Sequence, residues 1–265
     1  MTLFQAIIIA IVEGLTEFLP VSSTAHMRIT NPIIGVTTSP FTDMYEVVIQ
    51  LAAILSIVVL YWKKFIDFKH YSFYIKLIIA LIPAVIFGLL LKKYIDSALN
   101  NLTLIACVMI GGGILLLFVD NFFKRNTIDE ERQISYGKSL IIGCFQVLSI
   151  VLPGFSRSAA TIIGGMSQKL TRRLAAEFSF FIAVPTMFAA SVKSFYDVYK
   201  EHHDVIVKEN MSLLAVGAIT SFIVALITVR LFIGYVKTHT FKAFGVYRIL
   251  LGLAVLFLIY KGTIH

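Results

Sequence analysis

Residues 13–26 read EGLTEFLPVSSTAH, a dense run of carboxyl and hydroxyl groups that directly follows the apolar stretch Leu3 to Val12. Glu13 and Glu17 are four residues apart and therefore lie on one face of a helix. Pro20 interrupts the helical pattern, and hydroxyl and imidazole side chains follow it. The stretch therefore predicts a helix, a hydroxyl-lined turn and a second helix.

The composition of the whole chain indicates that this run lies in a membrane protein rather than in a soluble one. Of the 265 residues, 58% are hydrophobic and only 14% are charged, whereas soluble domains carry about 25% charged residues. The net charge of +8 comes from Lys and Arg that lie largely between apolar runs, as they do in the loops of membrane proteins. Because no basic stripe with interleaved aromatic residues lies on a soluble module, we expect no nucleic-acid partner.

Six apolar segments have about the 20 residues that a bilayer span requires. They are Met44–Trp62, Phe73–Leu91, Leu102–Phe122, Leu174–Tyr196, Ser212–Tyr235 and Phe241–Tyr260. Two shorter apolar stretches, Leu3–Leu19 and Leu140–Leu152, are cut by proline and followed by hydroxyl-rich turns. Irregular backbone persists at membrane depth only where protein or water surrounds it, so we expect re-entrant hairpins. The prediction is an all-α polytopic membrane protein, a single domain over residues 1–265, with about six transmembrane helices and two re-entrant helix-turn-helix hairpins.

The distribution of basic residues predicts the orientation of the chain. Lys and Arg cluster after the first and third spans, before the fourth, and between the last two, which places these loops in the cytoplasm. The acid-rich loop Asp197–Glu209 is then external. Counting spans from this loop puts both ends of the first hairpin outside and both ends of the second inside.

An internal repeat agrees with this inversion. A constant shift of 133 residues superimposes the two hairpin regions, and the matched pairs include Ile8 with Ile141, Leu15 with Leu148, Leu19 with Leu152, Pro20 with Pro153 and Ser23 with Ser156. We therefore predict an inverted-topology repeat, with repeat 1 at about residues 1–122 and repeat 2 at about 135–261. Broken helices in such repeats build polar sites near the membrane midplane.

The first hairpin carries a candidate catalytic set. Ser23 and His26 share a helix face if a helix resumes after the turn, and Glu17 lies on the preceding helix. A nucleophile, a base and an orienting group are what covalent catalysis requires. The alternative is structural: Ser22, Ser23 and Thr24 are also good helix N-caps, and a lone His is often a packed core residue.

The second hairpin carries a candidate anion site, PGFSRSAAT at residues 153–161. The planar fork of Arg157 matches phosphate oxygens, and backbone N–H groups at a helix start also bind anions. Ser156, Ser158 and Thr161 are the hydroxyl groups beside it. The alternative is a purely structural ion pair between Arg157 and a glutamate of the first hairpin.

Several other embedded residues are interpreted as structural. A carboxylate inside a membrane costs about 2.5 to 3.5 kcal/mol unless it is paired, so Glu13 and Glu17 need compensation, or they face solvent at a helix end. Four further polar residues are interpreted as packing groups, with cavity lining or hairpin support as the alternative: Glu46, Gln50, Glu177 and Arg248. The run Gly111–Gly113 predicts close helix packing. Cys107 and Cys144 are expected to be buried, inert thiols.

Both motifs resemble those of the undecaprenyl-diphosphate phosphatases, bacterial membrane enzymes linked to bacitracin resistance. EVVIQL at residues 46–51 and EFSF at residues 177–180 extend the resemblance over most of the chain. The family has glycine where this chain has Ala25 and Ala159. These two departures raise the question of whether the backbone there adopts a left-handed conformation, which Ala disfavours.

The resemblance implies an interdigitated inverted repeat in the bacterial plasma membrane and the removal of the terminal phosphate from a C55 isoprenoid diphosphate. It also implies dependence on Mg²⁺ or Ca²⁺, for which Glu13 and Glu17 are our expected ligands. The expected partners are a polyprenyl diphosphate and membrane lipids, with substrate contacts from Glu13, Ser22, Thr24, Ser156, Ser158 and Thr161. Because the first hairpin opens outward in the predicted topology, we expect the site to face the external side.

The predicted mechanism begins with Arg157 holding the terminal phosphate. Ser23 attacks phosphorus while His26 or Glu17 accepts its proton, and His26 or a water molecule remains open as the nucleophile. The alternative function is a secondary transporter or flippase for an anionic or lipid-linked substrate. The oligomeric state is not set by the sequence, and a homodimer is kept as a hypothesis.

Overall fold

The computed structural model describes residues 1–201 and 208–262. This part of the chain folds into twelve α-helices and contains no β-sheet. In chain order they are α1 (Leu3–Thr16), α2 (Ser23–Ile33), α3 (Pro40–Leu60), α4 (Trp62–Phe65), α5 (Tyr71–Leu90), α6 (Lys92–Leu99), α7 (Leu102–Phe122), α8 (Tyr136–Val151), α9 (Arg157–Ser167), α10 (Arg172–Glu201), α11 (Lys208–Thr238) and α12 (Lys242–Tyr260).

Six of these helices are long and apolar enough to cross a membrane, which confirms the predicted number of spans in the described residues. They are α3, α5, α7, α10, α11 and α12. Some ends differ from the prediction because capping groups extend the helix beyond the apolar window. Helix α3, for example, begins at Pro40, where the Thr42 N–H donates to Ser39 Oγ at 3.2 Å. Residues 202–207 of the predicted external loop, Asp197–Glu209, lie outside the described residues.

Two helix pairs form the predicted hairpins. Helices α1 and α2 are joined by residues 17–22, and α8 and α9 by residues 152–156. Their lengths of 14, 11, 16 and 11 residues fall short of the roughly 20 residues that a span needs. The hairpins therefore enter the bundle and turn back, as predicted.

The two halves of the chain exchange contacts in a symmetric pattern. Helix α1 of the first half packs on α11 of the second, and α8 of the second half packs on α5 of the first. Helix α3 pairs with α11, α10 contacts α5, and α7 pairs with α12. Each hairpin is thus held by spans of the opposite half, which is an interdigitated arrangement.

Glycine allows both hairpins to approach their partner spans closely. A Cβ atom on Gly14 of α1 would lie 2.8 Å from the Ser221 carbonyl oxygen of α11. A Cβ atom on Gly143 of α8 would lie 2.3 Å from the Ala80 carbonyl oxygen of α5. Small residues permit such close packing of helices in membranes, so both hairpins lie directly against the backbone of a span from the opposite half.

A polar clasp, formed by the contacts of Ile128 and Asp129 with residues 170–173, lies at the predicted cytoplasmic end. Ile128 and Leu170 form an isolated β-bridge. Asp129, which follows Ile128 in the chain, accepts hydrogen bonds from Thr171 at 2.6 Å and Arg173 at 2.9 Å. These two bonds hold the pKa of the Asp129 carboxyl below its usual value. The clasp ties the loop after α7 to the start of α10.

The prediction of buried thiols was wrong. Cys107 on α7 and Cys144 on α8 are both exposed on the outer surface of the helices. An apolar sequence window does not distinguish a face that packs on protein from one that lipid covers. Both thiols are free.

Candidate active site

The turn of each hairpin ends in a serine with an unusual backbone conformation. Ser22 has φ 74° and Ser156 has φ 76°, both in the left-handed region, which costs energy for a residue other than glycine. Each serine caps the helix that follows it: the Ala25 N–H donates to Ser22 Oγ at 3.4 Å, and the Ala159 N–H donates to Ser156 Oγ at 3.2 Å. The two turns therefore have the same local structure.

This correspondence corrects the repeat alignment by one residue. The shift of 133 residues pairs Ser23 with Ser156, whereas the structure makes Ser22 equivalent to Ser156 and Ser23 equivalent to Arg157. The second hairpin contains one more residue between the first residues of its two helices, and its turn includes Gly154 at φ 93°. The candidate nucleophile and the candidate anion-binding cation therefore occupy the same position, the first residue of a helix, in the two hairpins.

The carboxylate of Glu17 joins these two helix starts. Its Oε2 accepts a hydrogen bond from Ser23 Oγ at 2.6 Å, and its Oε1 accepts one from Arg157 Nη2 at 2.8 Å. Arg157 Nη1 also donates to the Ser179 carbonyl oxygen at 3.1 Å. Glu17 and Ser23 are each only 7% exposed, so the pair is shielded from bulk solvent. The Glu17 carboxylate is thus placed to accept the proton of the Ser23 hydroxyl, and the Arg157 cation contacts the same carboxylate.

A small cavity lies at these helix starts. Its volume is about 120 Å³, and the N-terminal ends of α2 and α9 border it, where helix dipoles favour an anion. Six of the predicted site residues line it: Glu17, Ser22, Ser23, Thr24, Ser156 and Arg157. Gln50 of α3 lines it as well, so this embedded polar residue faces the cavity.

His26 lies beside this constellation without bonding to Ser23. Its Nδ1 is 2.7 Å from the Ser22 carbonyl oxygen and its Nε2 is 2.7 Å from the Tyr247 hydroxyl. A carbonyl only accepts hydrogen bonds, so Nδ1 carries the proton and Nε2 accepts from Tyr247. Both ring nitrogens are thus engaged, and the carboxylate of Glu17, rather than the imidazole, contacts the Ser23 hydroxyl.

Tyr247 was missed by the sequence reasoning. It lies on α12, its ring stacks on that of His26 at 5.6 Å with an interplanar angle of 4°, and its hydroxyl bonds to His26 Nε2 at 2.7 Å. A tyrosine inside an apolar span gives no local signal of such a role, because tyrosine is common at membrane interfaces.

Two predicted substrate contacts point into the packing between the hairpins and their neighbours. Ser158 Oγ donates to the Phe18 carbonyl oxygen at 2.7 Å, which connects the two hairpins directly. Thr161 Oγ1 lies 2.6 Å from Ser179 Oγ. Both residues are buried, at 1% and 0% exposure, and neither borders the cavity.

The alanines that replace the family glycines raise no backbone conflict. Ala25 lies within α2 and Ala159 within α9, and both are buried. The left-handed conformation falls instead on the two capping serines. Alanine is a good helix former, so the substitutions are compatible with the turns.

Glu13, predicted as a substrate contact and metal ligand, is fully buried and, unlike Glu17, does not border the cavity. Neither of its carboxylate oxygens has a hydrogen-bond partner in the described residues. A buried, unpaired carboxylate is costly, which makes this position chemically suited to a cation. No group of three or more His, Cys, Asp or Glu residues with metal-binding geometry occurs in residues 1–201 and 208–262. An ion near Glu13 and Glu17 would thus take its other ligands from substrate oxygens or water.

The other embedded polar groups have structural partners. Glu46 accepts a hydrogen bond from Asn31 at 2.7 Å, and Glu177 pairs with Arg173 at 3.3 Å near the start of α10. Arg248 is fully buried and bonds to backbone carbonyls of both hairpin turns. The interpretation of these three as packing or support groups agrees with their contacts.

A family sequence profile described as "Bacitracin resistance protein BacA" matches residues 6–254, which include both hairpins. The chain belongs to this family. The BacA match confirms the resemblance that the two hairpin motifs indicated.

Curated relatives agree with the BacA assignment. A protein of Porphyromonas gingivalis is 48% identical over 99% of both chains. One of Flavobacterium psychrophilum is 48% identical over 97% of this chain and 95% of its own length, and one of Aquifex aeolicus is 43% identical over 96% and 97%. Each of these relatives is named undecaprenyl-diphosphatase.

Proposed function

We propose that this BacA-family chain hydrolyses undecaprenyl diphosphate to undecaprenyl phosphate and inorganic phosphate, which recycles the lipid carrier for cell-wall synthesis. The observation that carries the proposal is the Glu17 carboxylate, which bonds the Ser23 hydroxyl and the Arg157 guanidinium at the starts of two facing helices. The names of the relatives supply the substrate.

Arg157 holds the terminal phosphoryl group in this mechanism. Its guanidinium borders the cavity together with Ser156, Ser22 and Thr24, and the dipoles of α2 and α9 add positive potential. Charge that develops on the phosphoryl oxygens during transfer is stabilised by donors that are already in place. The need to stabilise this charge accounts for an arginine, Arg157, as the first residue of α9 beside the hydroxyl groups.

Ser23 is the proposed nucleophile. Its Oγ attacks phosphorus in line, its proton passes to Glu17 Oε2 at 2.6 Å, and the bond to the undecaprenyl phosphate oxygen breaks. Water then attacks the phosphoseryl group. Glu17 returns its proton to Ser23 Oγ as the bond from that oxygen to phosphorus breaks, takes up the water proton in its place, and releases it to solvent with inorganic phosphate. His26 is less suited to either role, because Ser22 and Tyr247 engage both of its ring nitrogens.

A divalent cation, Mg²⁺ or Ca²⁺, fits the unpaired oxygens of Glu13, and Glu13 and Glu17 would hold it. When bound, such an ion neutralises charge on phosphate oxygens. The chain's own residues supply the nucleophile, the proton acceptor and the phosphate grip.

The isoprenoid tail leaves the cavity between α3 and α10. An apolar groove of about 480 Å³ lies between these helices and is lined by Val47, Val48, Leu51, Ser191, Val192, Phe195 and Tyr196. Gln50 and Met187, which line the cavity, lie on the same two helices. A lipid with its diphosphate in the cavity therefore has an apolar path to the bilayer.

We place the protein in the bacterial plasma membrane with the site open to the external side. The cavity lining includes Leu99 of α6, which follows the predicted external end of α5. Six apolar helices support a multi-pass membrane location. A homodimer stays a prediction.

The proposal predicts phosphate release without a membrane. Purified protein in detergent should liberate inorganic phosphate from undecaprenyl diphosphate, with undecaprenyl phosphate as the lipid product; a colorimetric phosphate assay with thin-layer chromatography of the lipid measures both. A transporter or flippase needs no nucleophile and would release no phosphate in detergent. Intact lipid diphosphate after incubation with folded protein and Mg²⁺ or Ca²⁺ would contradict the proposal and favour transport.

A further inference from the structure

Arg248 is a buried cation without a carboxylate partner in the described residues. It lies within α12, is 0% exposed, and its hydrogen bonds all go to backbone carbonyl oxygens. A buried charge must be compensated to be tolerated. Four carbonyls compensate this one, so the residue is tied to the conformation of the segments that supply them.

Those carbonyls belong to three separate segments. Arg248 Nη1 donates to Pro20 of the first turn at 3.1 Å and to Phe155 of the second turn at 2.7 Å. Its Nη2 donates to Gly154 at 2.8 Å, and its Nε donates to Met109 of α7 at 3.2 Å. One guanidinium thus connects both hairpin turns to each other and to α7.

The bonded carbonyls lie immediately before the strained serines. Pro20 is two residues before Ser22, and Phe155 directly precedes Ser156. A left-handed serine persists only where the surrounding structure determines its conformation strongly. The next residue after each serine carries the chemistry, so the orientation of both helix starts depends on the carbonyls that Arg248 holds.

The glycine run of α7 makes room for this guanidinium. A Cβ atom on Gly112 would lie 2.4 Å from Arg248 Nη2 and 3.0 Å from its Cζ. The neighbouring Gly111 has nothing within 4 Å of a Cβ atom. Gly112 therefore makes room for the arginine, while Gly113 lets α7 approach Gly245 of α12 closely, in agreement with the close helix packing predicted for the run.

We propose that Arg248 is a positioning residue that fixes the two hairpin turns against each other, so that Ser23 and Arg157 converge on Glu17. The inference rests on the proposed function for its kinetic consequence. A displacement of about 1 Å at a reacting centre lowers a rate by about 100-fold. Since Arg248 does not border the cavity, it reaches the substrate only through the two turns, and its loss should lower turnover by more than it lowers substrate affinity.

Two variants disturb the contacts of the Arg248 guanidinium in different ways, one by replacing it and one by crowding it. R248K keeps the charge but loses the planar fork that spans both turns, and G112A keeps the arginine and pushes its fork away. Each should lower kcat for phosphate release by about 100-fold and raise KM by a much smaller factor. The matched control G111A, one residue away on the same helix, should match wild type in both constants.

Hydrogen exchange supplies a readout that does not depend on activity. Amides of residues 18–26 and 152–160 should exchange faster in R248K and G112A than in G111A, while those of α3 and α11 remain protected.

Unchanged exchange in both turns, or unchanged kcat in both variants, would overturn the positioning role. A raised KM at constant kcat would assign Arg248 to substrate binding, and unfolding of both variants would assign it to the fold alone. Failure of wild type itself to release phosphate would contradict the proposed function, and the exchange data would still decide the positioning role.

Discussion

Replacing Arg157 with alanine should lower kcat for phosphate release by about 10³-fold, the scale on which an arginine stabilises phosphoryl transfer. Arg157 donates to Glu17 Oε1 at 2.8 Å and to the Ser179 carbonyl at 3.1 Å, and it borders the cavity. The variant removes the positive charge from the start of α9 and leaves the α9 backbone intact. Steady-state phosphate release in detergent, with size-exclusion chromatography for folding, measures the effect.

Two control variants separate the geometry of Arg157 from its charge. R157K keeps a cation but cannot form a planar bidentate contact, so its kcat should fall between those of wild type and R157A. R125A removes the same charge from an exposed position in the predicted cytoplasmic loop after α7 and should leave kcat unchanged. Turnover by folded R157A within tenfold of wild type would remove Arg157 from the mechanism.

Replacing Ser23 with alanine should have the largest effect, a loss of about 10⁴-fold or more in kcat, because covalent transfer has no other nucleophile that Glu17 contacts. Alanine fits the first position of α2, and the capping bond of Ser22 to the Ala25 N–H does not involve Ser23. The protein should therefore fold normally. KM should change little, since the phosphate grip of Arg157 remains.

The matched control for Ser23 is another serine of the same cavity. Ser149 lines the cavity but donates its hydroxyl to the Gln146 carbonyl of its own helix at 2.8 Å, so S149A should keep wild-type kcat. If S23A retained kcat within tenfold of wild type, direct attack by water or by His26 would replace the serine mechanism.

Most of the fold was predictable from sequence because its signals are local. Apolar runs of about 20 residues identify the six spans, and shorter apolar runs that end in proline and hydroxyl residues identify the hairpins. The one-residue error in the repeat alignment has a physical cause. The second hairpin carries an additional residue before its second helix, and a gapless comparison of apolar sequence has no means of placing it.

The part of the site that was predictable consists of residues within one hairpin, or at matching positions of the two hairpins. Glu17, Ser23 and Arg157 were all expected together, and they meet. The partner of His26 was not predictable, because Tyr247 is 221 residues away and reaches it only through the packing of α12 on α7. The function of Gly112 likewise depends on Arg248, a contact between two spans that no local pattern contains.

A phosphoseryl intermediate forms if Ser23, hydrogen-bonded to Glu17 at the start of α2, attacks the terminal phosphorus. The decisive experiment quenches wild-type protein in SDS at neutral pH during turnover of undecaprenyl diphosphate labelled in its terminal phosphate, then measures the acid stability of the protein-bound label and maps the labelled peptide. We expect acid-stable phosphoserine at Ser23 of the wild-type protein and no label in S23A. Acid-labile label on His26, or hydrolysis with no label on the protein at any quench time, would contradict this expectation.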